Sequence, residues 1–144
     1  MTDEPSSPHH QVGALPWRLT NGAPELLLVT SRGTRQWIIP KGWPMAGLSD
    51  PDAAAREAFE EAGVQGEIGE DAVGCFAYEK ARKGEETVSP FSCTVYLLRV
   101  ERQLTFWPEA GQRSLAWVSP EQAQTLVTNE SLRALLATVE FPQE

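Results

Sequence analysis

Cysteine and histidine are scarce in this 144-residue chain, and that scarcity limits the chemistry first. Cys75 and Cys93 are the only cysteines, lie far apart and form no metal-ligand or redox spacing, so they read as reduced core thiols. His9 and His10, the two histidines, stand together in a Ser/Pro-rich start, so a metal site would have to be built from oxygen ligands. Positive charge is also short: 12 Lys and Arg stand against 20 Asp and Glu, a formal net charge of -8. General binding to nucleic acid or an anionic membrane needs Lys and Arg to neutralise phosphates, so neither is expected as a partner. No apolar run approaches the roughly 18 residues that cross a bilayer. Met1 to Gln11 carries Asp3 and Glu4, with no basic region and no apolar stretch. It reads as a disordered leader rather than a secretory signal or mitochondrial presequence, and a cytoplasmic location is expected by default.

What is present suffices for one globular domain, expected over residues 12–144. A chain of this size with 41% hydrophobic content buries roughly 68–70% of the surface its unfolded form exposes. Val12 to Leu19 and Leu26 to Val29 flank Asn21-Gly22 and read as an opening hairpin. Trp37 to Ile39 is a short strand stopped by Pro40, and Lys41 to Asp50, with two glycines and Pro44, reads as a structured loop. Asp50-Pro51 is a helix-start signature, the Asp side chain accepting from free amides, and Gly63 ends that helix. Strands are expected at Val64 to Ile68, Val73 to Tyr78, Ser92 to Val100 and Leu115 to Val118, with Arg82 to Ser89 a hairpin loop. Ser119-Pro120-Glu121-Gln122 opens a further helix, and Glu130 to Val139 closes the chain on helix. Strands interleaved with helices make this an α/β chain: a mixed sheet with helices on both faces.

The chemistry concentrates on the central helix. At about 100° per residue, Glu57, Glu60 and Glu61 share an arc of about 100°, with Ala58, Ala62, Ala55 and Phe59 on the adjoining packed face. Clustered carboxylates repel, and a hard divalent cation bridging them relieves that repulsion. Mg2+ suits such a site because it prefers carboxylate oxygens, keeps several waters and binds by way of substrate phosphates. Spacing alone favours the merely solvated charged face, since such faces are common.

The surrounding string decides between the two. Residues 42–64 read GWPMAGLSDPDAAAREAFEEAGV, which resembles the motif of the Nudix hydrolases: Gly, five residues, Glu, seven residues, then Arg-Glu-apolar-any-Glu-Glu-any-Gly-apolar. The second half is matched in full, and Gly42 stands at the right distance; Leu48 occupies the place of the family's first Glu. The resemblance implies a Nudix-like α/β/α sandwich and a phosphoanhydride hydrolase. It implies that Glu57, Glu60 and Glu61 bind the cation, Mg2+ with Mn2+ as a substitute, together with the backbone carbonyl of Lys41, and that Glu57 or Glu60, with Arg56, serves catalysis. In the family the missing Glu supports the loop and the motif Arg, so Leu48 bears on loop rigidity, and Arg56 is expected to pair instead with Asp52 or Glu60. A later Glu, Glu101 or Glu109, is a further candidate base, with nothing in the sequence to select either.

The likeness extends from about Val12 to Phe141 and is nearest the diphosphoinositol polyphosphate and diadenosine polyphosphate hydrolases, carried by Leu27 to Arg32, Trp37 to Pro40 and Trp117 to Ala123. It implies phosphate contacts from Ser31 and Arg32. Lys41, Gly42, Lys80, Arg82 and Lys83 complete the expected substrate-binding set, because a polyanion in an acidic chain needs local cations. Trp43, Tyr78 and Phe91 are candidates for stacking on an adenine or for ordinary strand packing. The expected partner is a phosphorylated small molecule, with the chain a monomer or homodimer. ADP-ribose or another nucleoside diphosphate compound remains an alternative substrate, and a non-catalytic nucleotide- or polyphosphate-binding module an alternative role.

Overall fold

The structure is a computed structural model and describes residues 9–81, 84 and 86–142. Eight strands form one mixed sheet: β1 (His9–Thr20), β2 (Ala23–Thr30), β3 (Trp37–Ile38), β4 (Lys41–Gly42), β5 (Val64–Ile68), β6 (Gly74–Ala81), β7 (Val88–Gln103) and β8 (Leu115–Val118). Three helices complete the domain: α1 (Asp50–Ala62), α2 (Pro120–Leu126) and α3 (Glu130–Thr138). The sheet order is β3-β2-β1-β7-β5, with β4 on β1, β6 on β7 and β8 on β2. β1 and β7 run parallel from His9 opposite Phe91 to Trp17 opposite Arg99, and every other pairing is antiparallel. Among the described residues no helix is long and apolar enough to cross a membrane.

Period-two alternation along β1 and β2 divides the core between the two faces of this sheet. Val12, Ala14, Leu27 and Val29 meet Ala53, Ala54, Ala58 and Ala62 of α1 on one face. Leu15, Trp17, Leu26 and Leu28 meet Ala123, Leu132, Leu135 and Leu136 of α2 and α3 on the other. Helices therefore cover both faces, as expected from the sequence. The alanines on α1 let that helix lie close to the sheet, which holds its acidic flank at the level of β4.

Several boundaries differ from expectation. β7 begins at Val88, inside the expected Arg82 to Ser89 loop, because Val88 and Ser89 pair with Ala81 and Lys80 of β6. Three further differences bear on the site. His9 to Gln11 is not leader: it pairs with Phe91 to Cys93 of β7, and Gln11 is buried with its side-chain carbonyl accepting from the Tyr78 hydroxyl. Lys41-Gly42, expected in a loop, forms β4 against Gly13 and Val12. Helix α1 is capped by Ser49 rather than Asp50: the Ser49 hydroxyl accepts from the Asp52 amide at 3.2 Å, and Pro51 falls within the first turn. Ser and Asp are comparable caps, and Pro tolerates either early position, so the local sequence does not choose between them. Gly63 ends the helix with φ 71°, and its amide donates to the Phe59 carbonyl at 3.0 Å. Ser119 and Gln122 form the expected capping box at α2.

Candidate active site

Helix α1 does not present its three motif carboxylates equally. The buried stripe comprises Ala53, Ala54, Ala58, Glu61 and Ala62, so Glu61, 4% exposed, lies inside the packed face. Ala55 and Phe59, expected on that face, are half-exposed and line an outer cleft of about 550 Å3 with Leu48 and Arg56. The stripe is rotated from the expected one because α1 packs against β1, β5 and β4 through its small alanines, and the larger Phe59 stays at the rim.

Glu57 borders the stripe and lies against β4: a Cβ added to Gly42 would stand 2.3 Å from the Glu57 carboxylate, so a larger residue there would push that carboxylate aside. The Glu57 and Glu61 carboxyls stand close enough to perturb each other. Burial pushes Glu61 up to about 8 against the opposing pull of Arg113, and burial likewise raises Glu57. Glu61 Oε1 has no hydrogen-bond partner among the described residues, although it is shielded from solvent. Glu60 is turned outward to Arg56, whose Nε lies 2.9 Å from Glu60 Oε2.

The Lys41 side chain enters the same region. Its ammonium lies over the Tyr78 ring, 4.5 Å from the centroid, and is held below its usual range, by burial first and then by the nearby Lys80 charge. Tyr78 stacks on Phe91 at 5.2 Å between centroids, and Phe91 in turn meets Trp43 at 5.8 Å and His9 at 4.9 Å. Phe91 is buried, whereas Trp43 is 46% exposed at the edge of this shelf.

On the opposite side, residues 104–114 fold back onto α1. Leu104 donates to the Gly63 carbonyl at 2.7 Å and Glu109 to the Glu60 carbonyl at 3.0 Å. Gln103 Nε2 caps the helix end at the Ala62 carbonyl, 2.9 Å away. Arg113 reaches under the helix to Glu109 at 3.0 Å and to Glu61 at 3.8 Å.

A family model described as NUDIX domain matches residues 9–139. The chain belongs to the Nudix hydrolase family. It is 32% identical over 133 residues to Nudix hydrolase 4 of Arabidopsis thaliana, covering 87% of this chain and 62% of that relative. It is 34% identical over 100 residues to diphosphoinositol polyphosphate phosphohydrolase NUDT4B of Homo sapiens, covering 68% of this chain and 51% of the other. The chain thus matches between half and two thirds of the length of these two curated relatives. In fold it is similar to the crystal structure of the C. elegans Ap4A hydrolase, with a TM-score of 0.65 and 22% identity over 91% of this chain and 95% of that one.

The Nudix motif therefore brings Gly42, Glu57 and Glu61 together, with the Lys41 side chain nearby on the Tyr78 ring. Lys80 is exposed on β6 and near enough to Lys41 for their charges to interact. Ser31 shapes the turn between β2 and β3, accepting from the Gln36 amide at 3.0 Å and contacting the Thr34 hydroxyl at 2.7 Å. Arg32 Nη1 donates to Gln112 Oε1 at 3.0 Å, which ties that turn to the 104–114 segment. Arg82 and Lys83 lie outside the described residues. Among the described residues, no three His, Cys, Asp or Glu side chains converge into a ready metal cage, and Glu60 is paired with Arg56. Of the two later candidates, Glu101 is exposed on β7, whereas the Glu109 charge reaches both Glu57 and Glu61. Arg113 was not legible beforehand: it belongs to no motif and lies in a segment without periodicity.

Proposed function

We propose that this chain is a Mg2+-dependent pyrophosphohydrolase that cuts a phosphoanhydride bond in a polyanionic substrate, with Mn2+ as an alternative cation. One observation carries the reading: a buried carboxylate, Glu61, keeps an oxygen without a hydrogen-bond partner beside a second carboxylate, Glu57, in the family's motif. An unpartnered buried oxygen costs about 1–3 kcal/mol or more, and a hard cation relieves that cost. The donor set fits Mg2+: two carboxylates and the Lys41 carbonyl offer oxygen only, and Mg2+ commonly takes one or two carboxylates, leaving the rest of its shell to water and phosphate. When bound, the cation supplies charge neutralisation at the bridging phosphate oxygen and a lowered pKa for attacking water.

The chain's own residues do the remainder. Glu57 and Glu61 hold and orient the cation, with Glu57 braced against Gly42. Glu60, steadied by Arg56, stands at the rim as a candidate to orient or deprotonate the water. Lys41 and Lys80, with Ser31 and Arg32 in the β2–β3 turn, are the positions for the phosphate chain.

Between the two nearest substrate classes, the aromatic shelf supports the dinucleoside polyphosphate over the diphosphoinositol polyphosphate. Trp43 offers an exposed ring at its edge, where a planar base can stack, whereas a heavily phosphorylated inositol has no π-face to match it. ADP-ribose and other nucleoside diphosphate compounds share that feature and form the second reading.

The test is a release assay over dinucleoside polyphosphate, nucleotide-sugar and inositol pyrophosphate panels, run with Mg2+ and with chelator. Glu61→Gln is expected to lower turnover by about 10²-fold or more. A wild-type rate in that variant, or equal wild-type rates in Mg2+ and chelator, overturns the assignment. Binding without turnover across the panel would favour the non-catalytic module.

A further inference from the structure

Arg113 is a cation engaged deep in the fold. Its side chain is 9% exposed, and its guanidinium faces three different segments. Nη1 donates to the Thr30 carbonyl at the end of β2 at 3.1 Å, Nε donates to Glu109 Oε1 at 3.0 Å, and Nη2 stands 3.8 Å from Glu61 Oε2. The strand end it holds is itself fixed to the residue after it. Thr30 N donates to the Ser114 carbonyl at 3.1 Å, and Ser114 N donates to Thr30 Oγ1 at 2.9 Å. Glu109 is fixed from the other side, its amide bonded to the Glu60 carbonyl on α1. Arg113 is thus bolted to the sheet and to the helix at once.

We propose that Arg113 is a positioning residue for the cation site. Anchored by Thr30 and Glu109, it holds Glu61 Oε2 by charge and leaves Oε1 without a hydrogen-bond partner, free to serve a cation. The asymmetry in distance fits this role. The two anchoring contacts are at hydrogen-bond length, while the contact to Glu61 is longer, so it orients that carboxylate without consuming it. The role requires arginine: three acceptors on three segments are met by one planar fork, whereas a lysine ammonium is a single point on a flexible stem. Partners of this kind, behind a metal ligand, typically change cation affinity 10–100-fold when removed.

This inference rests on the reading of Glu57 and Glu61 as the cation site, and the experiment separates the two. Mn2+ uptake by the full chain, without substrate, is measured by calorimetry or electron paramagnetic resonance for wild type, Arg113→Ala and Arg113→Lys, each with a thermal melt. kcat and KM are then determined on the best panel substrate. Both variants are expected to bind Mn2+ at least about tenfold more weakly and to lose kcat with KM for substrate little changed. Arg113→Ala leaves the buried Glu61 and the partly exposed Glu109 without this counter-charge; if it fails to fold, Arg113→Lys, which keeps the charge, carries the test. Unchanged Mn2+ affinity in Arg113→Lys overturns the proposal, and so does a raised KM with wild-type Mn2+ uptake, which would make Arg113 a substrate contact. If the wild type itself takes up no Mn2+ and hydrolyses nothing, the proposed function fails first, independently of either variant.

Discussion

At the scale of single residues, the motif helix assigns its carboxylates unequal work. Glu60 is held by a partly exposed i,i+4 contact from Arg56, and such contacts contribute little to stability. A double-mutant cycle on Arg56→Ala and Glu60→Gln, read by urea unfolding, should return a coupling of about 0.3–0.5 kcal/mol. A coupling several times larger would mean that the pair is shielded from solvent. Arg56 was expected to compensate for Leu48 by choosing Asp52 or Glu60, and the structure selects Glu60. Leu48 itself is 42% exposed and lines the outer cleft with Arg56. The three glutamates were legible because their spacing is part of a long, specific string. Their inequality was not, because a helical wheel gives the angle between side chains but not which angle faces the sheet. Arg113 was hidden for a different reason: its partners Thr30, Glu61 and Glu109 meet only after the chain has folded.

At the scale of elements, Gly63 joins the end of α1 to the returning segment. Its φ of 71° suits glycine, and a Cβ there would lie 2.4 Å from the Trp107 ring. Gly63→Ala should therefore destabilise the fold by about 2 kcal/mol or more, from backbone strain together with the displaced indole, as measured by denaturant midpoint. A loss below about 0.5 kcal/mol would show that Trp107 can move aside freely. The periodic elements were readable: β5 and β8 begin and end where alternation and breakers place them, and α2 opens at its Ser119 capping box. β4 was not, since two residues flanked by prolines carry no alternation, and its existence depends on backbone bonds offered by β1. The same holds for His9 to Gln11, polar residues extended by the neighbouring β7 rather than by their own propensity.

At the scale of the whole molecule, burying an acidic site in an acidic chain makes stability depend on pH. In the folded, cation-free protein, burial pushes Glu61 up to about 8, while in the unfolded chain the same group titrates in the usual carboxylate range. Between those values the folded state holds a proton that the unfolded state releases. The Glu61 contribution to stability therefore falls as pH rises through that window and levels off above it. Thermal melts of chelator-treated protein from about pH 5 to pH 8 should show a decline of several degrees attributable to this group, with a smaller decline in Glu61→Gln. Saturating Mg2+ should remove most of that difference. Identical pH profiles for the two chains would place Glu61 in solvent.

The parallel pairing of β1 with β7 carries a kinetic consequence. The motif helix can begin to form from local sequence alone, but its floor is laid by strands far apart in the sequence, so the carboxylates gain their surroundings only once that distant closure occurs. Parallel contacts between such separated segments form slowly, because the loop entropy must be met before the contacts reward it. A nascent chain still short of Phe91 would thus carry the family's signature in full while lacking the pocket that gives it meaning.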